Sequence, residues 1–242
     1  MTNTMAKTKT PRRTLPDGVG KVLKRLHYPL HVILLCVRWY VAYSLSLRNL
    51  EEMMAERGIE VDHSSVHRWV IKLVPLLEKA FRCRKRPVGK IWRVDETYVK
   101  VKRQWKYLYR AVDKAGSTVD FLLRAHRDSC CAPLFREGHR PKREPETITV
   151  DKSGANLAAL EALNADRSTS INVRQVKYLN NIVEQDHRAV KRIIKPMMGF
   201  KDFRCARIIL CGIEIMHMIR KGQMSDDGAT ATAFEQFYSL IT

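Results

Sequence analysis

The stretch IWRVDETYVKVKRQWKYLYRAVDKAGSTVDFLLRAH, residues 91–126, decides the fold. Three runs inside it, IWRVDETYVKV (91–101), QWKYLYRAVD (104–113) and STVDFLLRAH (117–126), are rich in the aromatic and β-branched residues of strands. DKAG (113–116) separates the last two as a tight turn, with Gly116 free to take a positive φ. The spacing predicts an antiparallel three-strand meander. Beyond it come a helical segment around 128–138 and the loop GHRPKREPE. TITVD (147–151) then reads as a fourth strand, GANLAALEALN (154–164) as a helix and INVRQVKY (171–178) as a fifth strand. A helix over 180–195 and the apolar helix RCARIILCGIEIMHMIRKG (204–222) follow. This β-β-β-α-β-α-β-α order is that of an RNase H-like α/β fold.

Upstream of the meander the period is helical from residue 22 to about 80, with no strand alternation. Residues 1–20 are polar and basic, with Pro11, Pro16, Gly18 and Gly20, and read as a mobile arm. FRCRKRPVGK (81–90) carries Arg82, Arg84, Lys85, Arg86 and Lys90 with no acid, then reads as a basic linker and domain boundary. The expected organisation is a basic arm (1–20), an all-helical helix-turn-helix domain (21–80), a linker (81–90), a catalytic domain (91–222) and a tail (223–242). Within the tail AFEQFYSLI reads as a short docking helix.

The helix-turn-helix lies in SLRNLEEMMAERGIEVDHSSVHRWVIKL (46–73). Ser46 can cap a first helix with Leu47, Leu50, Met53 and Met54 as its apolar set, and Gly58 supplies a left-handed turn residue. Asp62 or His63 caps a second helix with Val66, Trp69, Val70 and Leu73 inward. Ser64, Ser65, His67, Arg68 and Lys72 then face outward, where they suit major-groove and phosphate contacts. An ordinary helical hairpin has the same pattern.

Charge narrows the partners. Forty-four Lys plus Arg against 25 Asp plus Glu leave +19, which favours a polyanion and above all nucleic acid. The competing partner is an anionic membrane surface. YPLHVILLCVRWYVAYSL (28–45) contains His31 and Arg38 and is barely long enough to span a bilayer, so it reads as a core helix. The N-terminal residues lack an apolar h-region, so a cytoplasmic location without a membrane partner is expected. The six cysteines show no CxxC pair and no zinc spacing.

The acids fall at telling places. Asp95 lies in the middle of the first strand, and alternation sends Glu96 to the opposite side. Asp151 ends the fourth strand and Glu184 lies one turn into the helix after the fifth. In an RNase H-like sheet the first and fourth strands are neighbours and the late helix crosses their ends, so the three carboxylates converge. Clustered anions repel, and burying them unpaired is costly. Divalent cations resolve this: two Mg²⁺ ions about 4 Å apart can activate an attacking oxygen and stabilise a leaving one at a phosphodiester. Taken singly, each acid also has a structural reading: Asp95 a hydrogen-bonded strand acid, Asp151 a helix N-cap, Glu184 a surface ion pair. Asp113 reads as a turn residue, Asp120 as a strand-edge residue, and Asp186 faces away from Glu184.

On helical spacing Glu184, His187, Arg188, Lys191 and Lys195 line one stripe, beside an apolar one of Ile182, Val183, Ala189, Val190 and Ile193. The charged stripe is either an ion-paired surface or a metal-binding carboxylate beside cations, Arg188, Lys191 and Arg192, that hold DNA phosphate.

WRVDETYVKVKRQWKYLYRAVDKAGSTVDFLL (92–123), TVDKS (149–153), RQVKYLNNIVEQDHRAVKRIIKPMMGFKDF (174–203) and GIEIMHMIRKGQ (212–223) together resemble bacterial insertion-sequence DDE transposases of the IS-six family. The similarity runs from about residue 20 to 223. It implies a retroviral-integrase-like catalytic domain, Asp95, Asp151 and Glu184 as the catalytic and metal-binding set, and Mg²⁺ or Mn²⁺ as cofactor. Lys191 matches a basic residue recurrent in DDE enzymes. Asp151 and Glu184 lie 33 positions apart, about two fewer than the family's usual spacing, and the shortfall falls in NADRSTSINV, a loop-to-strand region tolerant of deletion.

The resemblance implies a DNA transposase that binds its element's terminal inverted repeats, cleaves to release a 3′-hydroxyl and joins that end to target DNA, acting as a homo-oligomer on the DNA. It also implies replicative, cointegrate-forming transposition. One rival is an RNase H-like nuclease or resolvase with the same metal chemistry, which a strand-transfer assay separates. The other is a helix-turn-helix regulator with an inactive second domain, which metal-dependent cleavage would exclude.

Overall fold

Burial changes sides halfway along the first strand, β1 (Ile91–Val101). Trp92 and Val94 are buried near its start, then Thr97, Val99 and Val101 near its end. Since successive side chains point to opposite faces, the strand has core on one face early and on the other late, with Asp95 and Glu96 at the changeover. Trp92 and Val94 join Tyr109, Ala111, Ile148 and Val150 in one apolar cluster. Val99 and Val101 join the larger core shared with the helices. The structure, a computed structural model, describes residues 27–126, 144–150, 164–165, 170–176, 181–225 and 231–241.

β1 pairs antiparallel with β2 (Gln104–Asp113), and β2 with β3 (Thr118–Arg124). β4 (Thr147–Val150) lies parallel to β1 and β5 (Asn172–Gln175) parallel to β4, so the order is β3-β2-β1-β4-β5. A three-strand meander followed by two parallel strands on the side of the first is the RNase H-like arrangement expected. The DKAG turn forms as read: Gly116 has φ +84°, and the Asp113 carboxylate accepts from the backbone N–H groups of Ala115 and Ser117. β5 is shorter than the 171–178 run. The helices expected around 128–138 and 154–164 fall outside the described residues, apart from residue 164.

Three helices precede the sheet: α1 (Leu30–Ala42), α2 (Leu47–Ala55) and α3 (His63–Arg84). Ser46 caps α2 and Asp62 caps α3, each accepting a backbone N–H of the first turn. Gly58, in the 56–62 connection, has φ +70°. After the sheet come α4 (Asn181–Ile194), a 3-10 turn (Lys195–Met197), α5 (Phe203–Arg220) and α6 (Ala233–Ser239). Among the described residues no helix is long and apolar enough to cross a membrane. Instead the 28–45 run supplies α1, whose Val32, Ile33, Val37 and Val41 are core residues.

Two boundaries differ from expectation. α3 continues through Arg84, because Leu73, Leu77 and Phe81 keep the four-residue spacing that buries one face. The basic 81–90 stretch therefore starts as the last turn of a helix. The 223–242 tail likewise starts inside the fold: the Gln223 side chain takes both backbone groups of Thr118, at 2.8 and 3.0 Å, and Lys85 bridges to Met224. α6 docks as expected, burying Phe237, Leu240 and Ile241 at its end.

A buried ionic network fixes α4 on the sheet. Arg110 of β2, fully buried, donates from Nη1 to Asp186 Oδ2 of α4 at 2.8 Å and from Nη2 to Glu214 of α5. Asp186 also takes His217 at 3.0 Å and Lys221 at 2.5 Å. Asp186 does point away from Glu184, but into the protein. Burial works to raise its pKa, and the His217 hydrogen bond, the Arg110 charge and Lys221 outweigh it, holding the carboxyl well below the usual range. Burial lowers the His217 pKa, an effect Asp186 offsets only in part.

α5 crosses α1 and α3 closely at Gly212. A Cβ there would lie 2.7 Å from Val41 Cγ1 and 3.1 Å from Val74 Cγ2. We predict that Gly212→Val lowers stability by about 1–3 kcal/mol and the melting temperature by roughly 2–10 °C. An unchanged melting curve would mean that this crossing is not tightly packed. A depressed carboxylate pKa contributes stability above the unfolded value and loses it as pH falls through the folded one; a depressed imidazole pKa loses stability as pH falls below about 6.5. Urea unfolding from pH 8 to pH 3 should therefore show a first decline owed to His217 and a later one, below about pH 4, owed to Asp186. His217→Gln should flatten the first and Asp186→Asn the second; profiles parallel to the wild type would refute the assignment.

Candidate active site

Asp95 stands on the sheet face that meets α4 and α5, directly across the β1–β2 ladder from Arg110. Its side chain is 21% exposed. α4 packs on β1 and β2 through Val183, Asp186, His187, Val190 and Ile193. The spacing put His187 on the exposed stripe with Glu184; the structure turns it inward, because position 187 lies one turn after Val183 and one before Val190. His187 Nε2 lies 3.4 Å from Asp95 Oδ2, too long and poorly aligned for a well-formed hydrogen bond. Glu184 is exposed, three residues before His187 on the same helix.

The third acid follows β4. That strand's ladder with β1 ends at Arg93↔Thr149, two residues before Asp95 on one strand and two before Asp151 on the other. Asp151 itself lies outside the described residues. Asp95 and Glu184 thus come from elements that His187 holds in contact.

The donor chemistry fits a hard divalent cation. Asp95 and Glu184 offer carboxylate oxygens, the ligands Mg²⁺ and Mn²⁺ take. Among the described residues no Lys or Arg forms an ion pair with either of them. A half-buried carboxylate whose ion pair among those residues is one long histidine contact is under-compensated, and a metal ion would supply the missing charge.

The exposed residues of α4 are those expected to meet DNA: Arg188, Lys191 and Arg192 all lie off the buried stripe. On α3, Ser64, Arg68 and Lys72 are exposed, while Ser65 and His67 are half-buried. The Ser64 hydroxyl and N–H are both engaged by the capping carboxylate of Asp62. Burial lowers the His67 pKa. His63, Ser64 and His67 share a cleft with Met197, Phe200 and Lys201, so the start of α3 meets the segment after α4. His63 Nδ1 also lies 3.1 Å from Glu51 and 3.4 Å from Asp62, an exposed cluster joining α2 to α3.

Arg110, Glu214 and the inward His187 were missed as partners of the site. Their signal was a charged or ionisable residue at an apolar position: Arg110 shares a strand face with Leu108, Glu214 sits within GIEIM, and His187 falls in the 183/187/190 spacing.

Residues 89–223 match a family described as a DDE domain. The chain is 35% identical over 192 residues to the transposase for insertion sequence-like element IS431mec of Staphylococcus aureus strain Mu50, covering 78% of this chain and 84% of that protein. It is 34% identical, over the same shares, to the transposase for insertion sequence element IS257 in transposon Tn4003 of Staphylococcus aureus. Among solved structures, the catalytic core domain of BIV integrase is similar at a TM-score of 0.39 and 15% identity, over 62% of this chain and 94% of that one. Neither the nuclease nor the inactive-regulator alternative is favoured. The chain belongs to the IS-six family of bacterial insertion-sequence DDE transposases, and it is a DNA transposase, a polynucleotidyl transferase.

Proposed function

We propose that this transposase binds the terminal inverted repeats of its element, cleaves to expose a 3′-hydroxyl and joins that end to target DNA, with Asp95, Asp151 and Glu184 as its catalytic acids. The observation that carries the reading is Asp95. It is a half-buried strand acid on the face toward α4, met by His187 and ion-paired with no Lys or Arg among the described residues. Divalent-metal dependence belongs to DDE enzymes generally. Our reading makes the ions Mg²⁺ or Mn²⁺, two in number, held by Asp95, Asp151 and Glu184. When bound, they supply Lewis-acid activation of the attacking oxygen and charge stabilisation of the leaving one.

The chain's own residues do the rest. His187 holds the Asp95 carboxylate in orientation, and the Arg110–Asp186 pair holds the helix carrying Glu184. Arg188, Lys191 and Arg192 neutralise phosphates beside the reacting one. Ser64, Ser65, His67, Arg68 and Lys72 of α3 read or grip the repeat. The capping of α3 by Asp62 supports this, since it presents the helix's first turn at the surface. Two ends joined in one event call for more than one catalytic site, so we infer a homo-oligomer on DNA. The charge of +19 supports a nucleic-acid partner in the bacterial cytoplasm.

The test is a joining assay on precleaved repeat ends with Mg²⁺ or Mn²⁺, beside binding measured in EDTA. Asp95→Ala, Asp151→Ala and Glu184→Ala should each lose joining by on the order of a hundredfold or more, since metal ligands act on the transition state. Affinity for the ends, which comes mainly from phosphate neutralisation, should change by no more than about threefold. Near wild-type joining by any one variant would remove that acid from the set.

A further inference from the structure

Two aromatic residues and a methionine stand in water at the hairpin end of β1 and β2 and after α4. Trp105 is 64% exposed, Tyr98 42% and Met198 92%. Large apolar side chains exposed together mark a binding surface. They line a groove of about 1050 Å³ between the β1–β2 hairpin and the exposed face of α4. Among the described residues its charged lining is Lys100, Arg188, Lys191, Arg192 and Lys195, with no acid. Arg188 and Lys191 follow Glu184 by four and seven residues, so the groove starts about one helical turn from that acid.

The groove is built rather than loose. Phe200 donates its N–H to Lys100 O at 2.9 Å, and Lys102 donates to Phe200 O at 2.7 Å, tying the hairpin to the segment after α4. Gly199, at φ +91°, passes so close to Lys100 O that a Cβ would lie 3.2 Å from it. The hairpin turns on Lys102 and Arg103 at φ 50° and 63°, where Asn-Gly would be the unstrained choice. Strain of this kind persists where the surroundings enforce it, and here it places two more cations at the tip.

An all-cationic lining selects a polyanion over an apolar protein surface. The aromatics select one with accessible base faces. In a duplex those faces are covered by neighbouring pairs, whereas an unpaired nucleotide can stack on an exposed ring. We propose that this groove binds single-stranded DNA, seating an unpaired nucleotide on the Trp105 ring, five ladder steps along β1 and β2 from Asp95, with its phosphates on Arg188, Lys191 and Lys195. The inference rests on the reading that the acids act on DNA, but its test does not use their chemistry.

The full chain is titrated in EDTA with a ten-residue oligothymidylate and, separately, a ten-base-pair duplex of mixed sequence, reading tryptophan emission and Kd. Of the four tryptophans Trp105 is the exposed one, with Trp69 and Trp92 buried and Trp39 half-buried. Oligothymidylate should quench the emission saturably. Trp105→Ala should raise its Kd by about ten- to a hundredfold and that of the duplex by no more than about threefold, and Trp105→Phe should restore most of the loss. Unchanged oligothymidylate affinity in Trp105→Ala, an equal loss for duplex, or no binding of oligothymidylate by the wild type would each overturn the proposal. Melting curves of both variants guard against misfolding. Without metal or element ends in the titration, its failure leaves the catalytic acids untouched, and loss of their role in joining leaves this result standing.

Discussion

Arg110 is a guanidinium with no exposed surface, and the arrangement of the candidate site follows from how its charge is met. An ion moved into a protein interior loses several kcal/mol of hydration, which only close partners restore. Asp186 and Glu214 are those partners, from α4 and α5, so β2 and two helices are clamped at one point. Asp95 is the cross-strand neighbour of Arg110, and His187 is the chain neighbour of Asp186. Once Asp186 is drawn onto Arg110, His187 is carried onto Asp95 and the charged face of α4 is left outward. Removing one partner of such a pair costs roughly 3–5 kcal/mol, because the other charge stays buried.

That clamp separates two electrostatic regimes within a few residues. Asp186, surrounded by cations, stays ionised far into acid. Asp95, on the same sheet face, has His187 beside it and, among the described residues, forms no ion pair with a Lys or Arg, the Arg110 guanidinium being taken by Asp186 and Glu214. The first arrangement holds structure together; the second leaves a carboxylate available to a metal ion. Outside the acids the surface turns strongly cationic along α4 and the hairpin tip, which suits a phosphodiester backbone.

Much of this was legible in the sequence. The β1 and β2 runs have the bounds they were read to have, Ser46 caps the helix it was expected to cap, and of the two candidates Asp62 and His63 it is Asp62 that caps the next. Local signals sufficed there: alternation, a turn residue, a side-chain oxygen before an apolar period. The failures share a different cause. His187 looked polar and so was put outside, yet it shares the buried stripe of Val183 and Val190. Phe81 extended α3 into a charge run that reads as a linker. Gln223 pairs with the backbone of Thr118, a partner 105 positions away that no local pattern announces. The neighbouring of β1, which carries Asp95, and β4 was legible from the strand order; how α4 is held could not be, since it depends on charges paired across 76 and 104 positions.

The central claim is that Asp95, Asp151 and Glu184 together hold the catalytic metal. It is tested most directly by loading the full chain with Fe²⁺ in place of Mg²⁺ and generating hydroxyl radicals at the bound ion with ascorbate and peroxide. The fragments are then mapped by mass spectrometry. The account predicts backbone cuts clustered at three separated places, around residues 95, 151 and 184, suppressed by excess Mg²⁺. Cuts confined to the exposed cluster of Glu51, Asp62 and His63, or scattered without regard to Mg²⁺, would contradict it.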